Sequence, residues 1–208
     1  ARIVSLQTTN IVGSGIVPRF EETSLRGLWE RWEDECDSQG MLDIYGMQEA
    51  AVRAWWESGE SFIRLRPRRI EDGLSVPLQL ELLESDMVPL IDTINPDNKN
   101  KIIQGVEFNG IGKRVAYWFH RVHPNDGLIG AVSSASLATL VRIEAENVVH
   151  LFEQLRPGQV RGFPPLATVL QRIQQLSDMD ENLLEKQKQS ALFTAFFIGP
   201  SPETAGTN

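Results

Sequence analysis

The residues of this sequence that could do chemistry are a pair of histidines, a run of carboxylates around one cysteine, and a group of arginines. His120 and His123 stand near Glu107 and Asp126 in the chain. Neutral imidazoles and carboxylates brought together are what a metal site requires. Residues three apart on a strand point to opposite faces of a sheet, however. We therefore expect no metal ion and no cofactor here.

An acidic cluster surrounds the cysteine. It consists of Glu30, Glu33, Asp34, Glu35 and Asp37. Two separated carboxylates can serve as the acid and base of a hydrolase. The spacing also fits the solvent face of a single helix, and we favour that interpretation. Cys36 falls on the apolar face of the same helix, where a thiol packs as a small hydrophobe, so we do not expect a nucleophile.

The arginines Arg64, Arg66, Arg68 and Arg69 form the one dense basic patch. Such a patch could contact nucleic acid or the acidic surface of a partner protein. Arg64 and Arg66 also alternate along a candidate strand, where they would sit on the solvent face. Both interpretations stay open, and the residues alone indicate no enzyme.

Charge and composition limit the classes of function. The net charge of −8 over 208 residues gives no electrostatic attraction for phosphates. Tight, sequence-independent binding of nucleic acid is therefore disfavoured, although loose passage of DNA is compatible with it. The single cysteine rules out an internal disulfide. No window holds 18 consecutive apolar residues and the start lacks the features of a secretory signal, so we expect no association with a membrane.

Hydrophobic periodicity predicts an α+β fold with N-terminal helices, a mainly antiparallel sheet and a long, projecting C-terminal helix. The first helix is expected to stop at Thr9-Asn10, and Thr23 or Ser24 is expected to cap the second. The turn Asn109-Gly110-Ile111-Gly112 is a strong hairpin signal. The further helices are predicted at residues 22–36 and 45–57, and the strands at residues 61–66, 76–83, 102–108, 114–122, 140–143 and 148–152.

The helix predicted over residues 165–197 organises the rest of the chain. Its apolar residues fall within an arc of about 140° when plotted at about 100° per residue. Asp180 and Gln187 interrupt that arc. A rod of this length measures roughly 45 Å, longer than the diameter of a domain of this size. We therefore expect part of it to project and to pack on a neighbour, and we expect residues 198–208 to be disordered.

Five segments, in the same order along the chain, resemble the lambda-family portal proteins of tailed bacteriophages. The motif RPGQVRG followed by proline and a long helix is the most specific part of this resemblance. The segments are NIVGSGI from Asn10, LWERWEDECDSQGMLDIYGMQ from Leu28, VPLQLELLESDMV from Val76, IIQGVEFNGIGKRVAYWFHR from Ile102 and VVHLFEQLRPGQVRGFPPLATVLQRIQQLSDMDENLLEKQKQSALFTAFF from Val148.

The resemblance implies a structural machine part and not an enzyme. Family members form rings, typically of twelve subunits, at one capsid vertex, where double-stranded DNA enters and leaves through the central channel. Their partners are the terminase motor, the capsid and head-completion proteins. They are assembled in the bacterial cytoplasm from phage or prophage genes and end in the virion. By similarity, residues 1–155 correspond to a wing, 156–197 to a loop and first stem helix, and 198–208 to the start of the clip.

The resemblance also suggests which residues would act. Polar side chains of the stem helix would face the channel or a neighbouring subunit, although pairing along one solvated helix is the alternative. They are Arg172, Asp178, Asp180, Glu181, Glu185, Lys186, Gln187 and Lys188. The rest of the clip, the second stem helix, the channel loop and the crown have no counterpart in this sequence. A monomeric capsid-associated binding module and a hydrolase of unknown substrate remain as alternatives.

Overall fold

The computed structural model describes residues 2–126 and 137–192. The chain divides into two compact units, Ala1–Leu166 and Ala167–Asn208. Over the described residues it forms four α-helices and eight β-strands, and both of its sheets are antiparallel. The predicted α+β class is thereby confirmed. None of the helices in the described ranges combines the length and apolar character needed to cross a membrane.

Three helices open the first unit: α1 (Arg2–Val12), α2 (Thr23–Glu35) and α3 (Ile44–Ser58). α1 packs on α3 and buries Val4 and Thr8. The side chain of Asp43 caps the start of α3 by accepting a hydrogen bond from the backbone N–H of Gly46. Gly59 ends α3 with a φ of 89°, a conformation that favours glycine.

Two predicted details of these helices are wrong. α1 continues through Thr9 and Asn10, because the Thr9 hydroxyl donates to the Ser5 carbonyl at 3.0 Å and is satisfied within the helix. The helix ends before Gly13, whose φ is 59°. Glu22 occupies the N-cap position of α2, and its side chain makes no capping bond.

The strands form two sheets where the sequence suggested one. The first has the order β2-β1-β8, and the second has the order β3-β4-β5-β6-β7. The successive strands β7 and β8 lie in different sheets, so the turn Ala145–Asn147 carries the chain from one sheet to the other. The strands are β1 (Glu60–Pro67), β2 (Leu78–Leu83), β3 (Thr93–Ile94), β4 (Lys101–Ile103), β5 (Val106–Phe108), β6 (Arg114–Phe119), β7 (Val141–Glu144) and β8 (Val148–Phe152).

The segment predicted as one strand over residues 102–108 is a hairpin of β4 and β5. Gln104 and Gly105 turn the chain with φ of 51° and 78°. A Cβ on Gly105 would lie 2.6 Å from the carbonyl oxygen of Pro89, so only glycine fits. The hairpin predicted at Asn109 is confirmed, since β5 pairs with β6 across it. The side chain of Asn109 closes that turn by accepting from the N–H groups of Ile111 and Lys113.

The main core lies between the two sheets. Phe62 and Val148 of the first sheet pack on Tyr117, Phe119 and Ile143 of the second. A second core lies on the other face of the first sheet. There the helical residues Trp32, Cys36, Ile44 and Met47 meet Leu78, Leu80 and Leu82 of β2. Alternation along the strands thus places the first sheet between helices and the second sheet.

The second unit contains the long helix. A turn of 3-10 helix, Pro165–Thr168, precedes α4 (Leu170–Leu192). The predicted single α-helix from residue 165 therefore begins five residues later. The end predicted for this helix, at residues 193–197, lies outside the described residues. The disorder expected over residues 198–208 does so as well.

Candidate functional site

All eight polar residues predicted to face a channel or a neighbouring subunit lie on α4. Its 23 residues correspond to a rod of about 35 Å. Every side chain described from Leu170 to Ala191 is exposed. The exposed polar positions are Arg172, Asp178, Asp180, Glu181, Glu185, Lys186, Gln187 and Lys188.

One side of α4 is an apolar stripe. Its five residues fall within an arc of about 140° at 100° per residue, and they are between 44% and 66% exposed. Asp180 and Gln187 lie within the same arc. A contiguous exposed apolar surface rimmed by polar residues is typical of an interaction site. The stripe consists of Leu170, Ile173, Leu176, Leu183 and Leu184.

The carboxylates Asp178, Glu181 and Glu185 share another side of α4, within about 60° of arc. Two side-chain hydrogen bonds within the described part of α4 each join a charged group to an amide: Arg172 Nη1 donates to Gln175 Oε1 at 3.2 Å, and the Gln174 amide donates to Asp178 at 3.1 Å. None of its described residues forms an ion pair. The two hydrogen bonds are i to i+3 and i to i+4 pairs of the kind a solvated helix forms, so that alternative stays open for Arg172 and Asp178.

The basic patch is partly neutralised. Arg64 and Arg66, about one third exposed, both pair with the carboxylate of Glu81, at 3.2 and 3.5 Å. Arg68 Nε donates to the Gln79 side chain at 2.9 Å. The exposed Arg69 begins a short 3-10 turn, where its backbone N–H donates to Asp72. A contact surface for nucleic acid at these arginines remains a prediction, weakened by the carboxylate that two of them share.

A buried arginine that the sequence did not single out, Arg161, lies at the centre of the first unit. Its guanidinium stacks over Phe62 at 5.5 Å from the ring centroid. Nε donates to Glu60 at 2.6 Å, Nη1 donates to the carbonyls of Val88 and Gln104 at 3.0 Å, and Nη2 donates to the carbonyl and hydroxyl of Ser85 at 3.0 and 3.3 Å. All five N–H donors of the guanidinium therefore have acceptors, as a buried cation requires.

Gln159 lies in the same loop as Arg161, the segment that follows β8, and its side chain stabilises the conformation of that loop. Its side-chain oxygen accepts from the backbone N–H groups of Leu155 and Arg156, at 2.8 and 3.3 Å. Its amide nitrogen donates to the carbonyls of Glu153 and Arg161. A single buried side chain thus replaces the backbone hydrogen bonds that this irregular segment cannot make for itself.

Two glycines let this loop lie directly on the end of α3. A Cβ on Gly162 would lie 2.1 Å from the carbonyl oxygen of Gly59, and a Cβ on Gly59 would lie 2.3 Å from the backbone of Phe163. The backbone N–H of Gly162 also donates to Glu60 at 2.7 Å. The RPGQVRG motif is therefore an anchor: Gln159, Arg161 and Gly162 fix the loop onto the two sheets.

The carboxylate of Glu60 accepts hydrogen bonds from two residues of the anchor, Arg161 and Gly162. Burial alone would raise its pKa, but hydrogen bonds from His150, Arg161 and Gly162 outweigh burial and lower the pKa to about 2. Burial lowers the pKa of His150 despite the adjacent carboxylate. The neutral ring then carries its proton on Nε2, which donates to Glu60 at 2.9 Å, and Nδ1 accepts from Arg114 at 3.2 Å.

A second buried carboxylate, Glu107, organises the second sheet. Its oxygens accept from Arg142 and Trp118 and from three asparagines of the preceding loop, at 2.7 to 3.2 Å. Burial would raise its pKa, but the bonds from Arg142 and the asparagines lower it to about 2. Glu107 thus holds the loop that contains Asn95, Asn98 and Asn100 against β5 and β6. These hydrogen bonds allow its carboxylate to be completely buried.

The other chemistry-bearing residues are not brought together. His120 is buried, His123 Nε2 lies 3.5 Å from Glu84, and Asp126 is exposed. The described ranges contain no group of three or more histidine, cysteine or acidic residues that could hold a metal ion. Burial, with the nearby Asp37, raises the pKa of the Cys36 thiol to about 11, which favours the unreactive protonated form.

The members of the acidic cluster do not form one site, because those with hydrogen bonds bind different groups. Glu33 accepts from the Tyr45 hydroxyl, and Glu35 accepts from Ser75. Asp37 accepts from the backbone N–H groups of the turn that follows α2. The remaining members, Glu30 and Asp34, are exposed. Only Glu30 and Asp34 lie on an exposed helix face as expected; Asp37 lies beyond the end of α2 and is buried, because its carboxylate is bonded to the turn that follows.

The burial of Arg161 could not be predicted from the periodicity of the sequence. Arginine is rarely fully buried unless it is paired, so nothing in RPGQVRG distinguishes the exposed Arg156 from the buried Arg161. The acceptor Glu60 lies 101 positions away. Only the glycines at positions 59 and 162, each beside one partner of that pair, hinted at a close backbone approach.

Comparison with known proteins agrees with the five quoted segments. The family described as "Phage portal protein, lambda family" matches residues 1–208. A "Probable portal protein" of Halomonas phage phiHAP-1 is 28% identical over 180 residues, covering 78% of this chain and 33% of that protein. The chain therefore spans about a third of the length of this curated relative. The match over the whole sequence confirms the resemblance, and the chain belongs to the lambda family of phage portal proteins.

Proposed function

We propose that this chain is the wing and first stem helix of a portal subunit, and that its full-length form assembles into a ring at one capsid vertex. Double-stranded DNA passes through the ring during packaging and ejection. Twelve copies is the expected number. The proposed partners are the terminase motor, the capsid and the head-completion proteins, with assembly in the host cytoplasm and a final place in the virion.

The single observation that carries this proposal is the apolar stripe of α4. A helix of about 35 Å exposes five large aliphatic side chains along one side. Fully burying one such side chain contributes up to about 1.5–3 kcal/mol before the cost of association is subtracted. In a ring around a channel, contact with a neighbouring subunit would cover the stripe in every subunit. Such a role agrees with a structural protein, and we propose no catalytic activity.

Charge supports the passage of DNA. The chain carries a net charge of −8, and the carboxylates Asp178, Glu181 and Glu185 share one side of α4. A channel lined by carboxylates would repel phosphate, so the duplex could slide. Neutralising several phosphates would instead produce a salt-dependent hold on the DNA.

The assembly test compares two kinds of substitution on α4 in the full-length protein. Leu176→Glu with Leu183→Glu places charge in the stripe, and Gln175→Glu with Asn182→Glu places the same charge on another side. We expect rings by mass measurement and negative-stain imaging for the unaltered protein and for the second variant, and dissociated subunits for the first. Monomers from the unaltered protein would support the binding-module alternative and overturn the proposal.

A second test addresses the channel. Reversing the charges of Lys186 and Lys188 in the full-length ring should alter the rate or extent of DNA packaging without changing the fold, because both side chains are exposed on α4. Intact rings that package DNA as the unaltered protein does would show that these residues do not face the channel.

A further inference from the structure

The loop fixed by the RPGQVRG motif carries an apolar groove. Three strongly exposed apolar residues line it: Leu90 is 76%, Leu155 is 64% and Phe163 is 51% exposed. The groove has a volume of about 380 Å³ and lies entirely within the first unit. Arg156, also exposed, lies on its wall next to Leu155. The other arginine of the lining, Arg161, is buried and paired with Glu60, so the groove presents three large apolar side chains and one exposed cation.

The walls of this groove are held in place before any partner arrives. Gln159 binds the backbone N–H groups of both Leu155 and Arg156. Arg161, which lies under the groove, is held by five hydrogen bonds. A segment whose polar groups are satisfied internally while its apolar side chains face solvent loses little conformational freedom on binding.

The stripe of α4 has the opposite charge pattern. Asp180 lies near the middle of the apolar arc, between Leu176 and Leu184 at about 40° to each side. Neither the Asp180 carboxylate nor the Arg156 guanidinium makes a hydrogen bond or ion pair with any residue that the structure describes. An anion set in an apolar stripe requires a cationic partner once the stripe is covered by protein.

We propose that the groove receives the α4 stripe of a neighbouring copy of this chain, with Asp180 pairing with Arg156 across the contact. This inference rests on the ring assembly proposed above and assigns it a specific interface. The complementary halves lie on different surfaces of one chain, so the contact is head to tail. Repeated contacts of that kind close into a ring when the rotation between subunits allows it.

Charge reversal in the full-length protein tests the pairing. Arg156→Glu and Asp180→Arg each place like charges in the contact, and each should weaken ring assembly about tenfold or more. The double variant Arg156→Glu/Asp180→Arg restores opposite charges and should recover most of the loss. Normal assembly of either single variant, or no recovery in the double variant, overturns the pairing. Both positions are exposed, so the variants should fold, and their thermal unfolding checks this.

Mixing the two single variants tests whether the contact joins different copies. In an alternating ring of the two, each α4 meets a groove of opposite charge: Asp180 meets Arg156 at one contact, and the two substituted residues meet at the next. The mixture should therefore assemble although neither variant assembles alone. A contact within one chain would stay mismatched in every subunit. A mixture that fails to assemble would overturn the proposed neighbour.

Two matched controls separate this inference from the proposed function. Asp34→Arg makes the same charge change at an exposed position of α2. Arg53→Glu reverses an exposed arginine on α3. Both should form normal rings. If the unaltered protein forms no ring, the proposed function fails; if it forms rings that Arg156→Glu and Asp180→Arg leave unchanged, only the pairing fails.

Discussion

Replacing Arg161 by methionine would test the anchor most directly. Methionine keeps an unbranched apolar side chain near Phe62 but removes five hydrogen bonds. The carboxylate of Glu60, 2% exposed, would keep the hydroxyl of Ser85, the ring of His150 and the backbone N–H of Gly162, but no cationic partner. Leaving one member of a buried ion pair without its partner costs about 3–5 kcal/mol. We expect Arg161→Met to destabilise the first unit by that amount.

The lowered pKa of Glu60 corresponds to a contribution of the same order, which His150, Arg161 and Gly162 supply together. Its value falls from 4.5 to about 2 on folding, and each pKa unit corresponds to about 1.4 kcal/mol, or roughly 3 kcal/mol in all. The sign is that of a carboxylate stabilised in its charged form. The contribution is present above about pH 4.5 and disappears as the pH falls towards 2.

A double-mutant cycle separates the pair from the rest of the network. Glu60→Gln removes the charge with little change in shape, so Arg161→Met should cost about 2–3 kcal/mol less in its presence than in the original protein. Arg161→Lys should fall between, because an ammonium can pair with Glu60 but cannot reach Ser85, Val88 and Gln104 in the same fork. Arg53→Met, which removes an exposed pair with Glu49, is the control and should cost about 0.5 kcal/mol or less.

The measurement is urea unfolding followed by tryptophan fluorescence. The tryptophans at positions 29, 32, 55, 56 and 118 all belong to the first unit, so the signal reports on that unit. Unchanged slopes with denaturant would show that the variants differ in stability and not in the extent of unfolding. A loss below about 1 kcal/mol for Arg161→Met, or additive losses in the cycle, would show that the pair does not hold the loop.

Two further outcomes follow from the same region. Gly162→Ala should destabilise by about 1–3 kcal/mol in urea unfolding, because its Cβ would lie 2.1 Å from the Gly59 carbonyl oxygen, whereas Gly110→Ala, with no atom within 4 Å, should change little. Stability should also fall as the pH drops below about 6.5, because burial lowers the folded-state pKa of His150 and of His120, so the unfolded chain takes up protons first. His150→Gln should make that slope shallower between pH 7 and 5, and an unchanged slope would contradict the neutral state assigned to this ring.

The local pattern of apolar and polar residues was sufficient to predict most of the secondary structure. Helical and alternating periodicities located α2, α3, β1, β2, β6 and β8 to within a few residues, because each buries one side against a core. The glycines near Asn109 located the β5-β6 hairpin. The turn between β4 and β5 was missed because the apolar residues before and after Gln104 and Gly105 look like one continuous strand.

The partition into two sheets could not be predicted from pattern. β7 and β8 are separated by a three-residue turn, the spacing of a hairpin, yet they belong to different sheets. β8 pairs with β1, almost 90 residues earlier, as the register of Phe62 with His150 shows. Alternation defines which face of a strand is buried, but it carries no information about which strand lies beside it.

The sequence by itself determined the α+β class, the long amphipathic helix, the acidic charge and, through RPGQVRG and four other segments, membership of the portal family. The tertiary structure alone decided that Arg161 is buried while Arg156 is exposed, and that Glu60 and Glu107 hold loops in place where other carboxylates face solvent. The physical reason is distance along the chain. Periodicity reports on neighbours within a few residues, whereas the stability of a buried charge depends on partners that only folding brings within 3 Å.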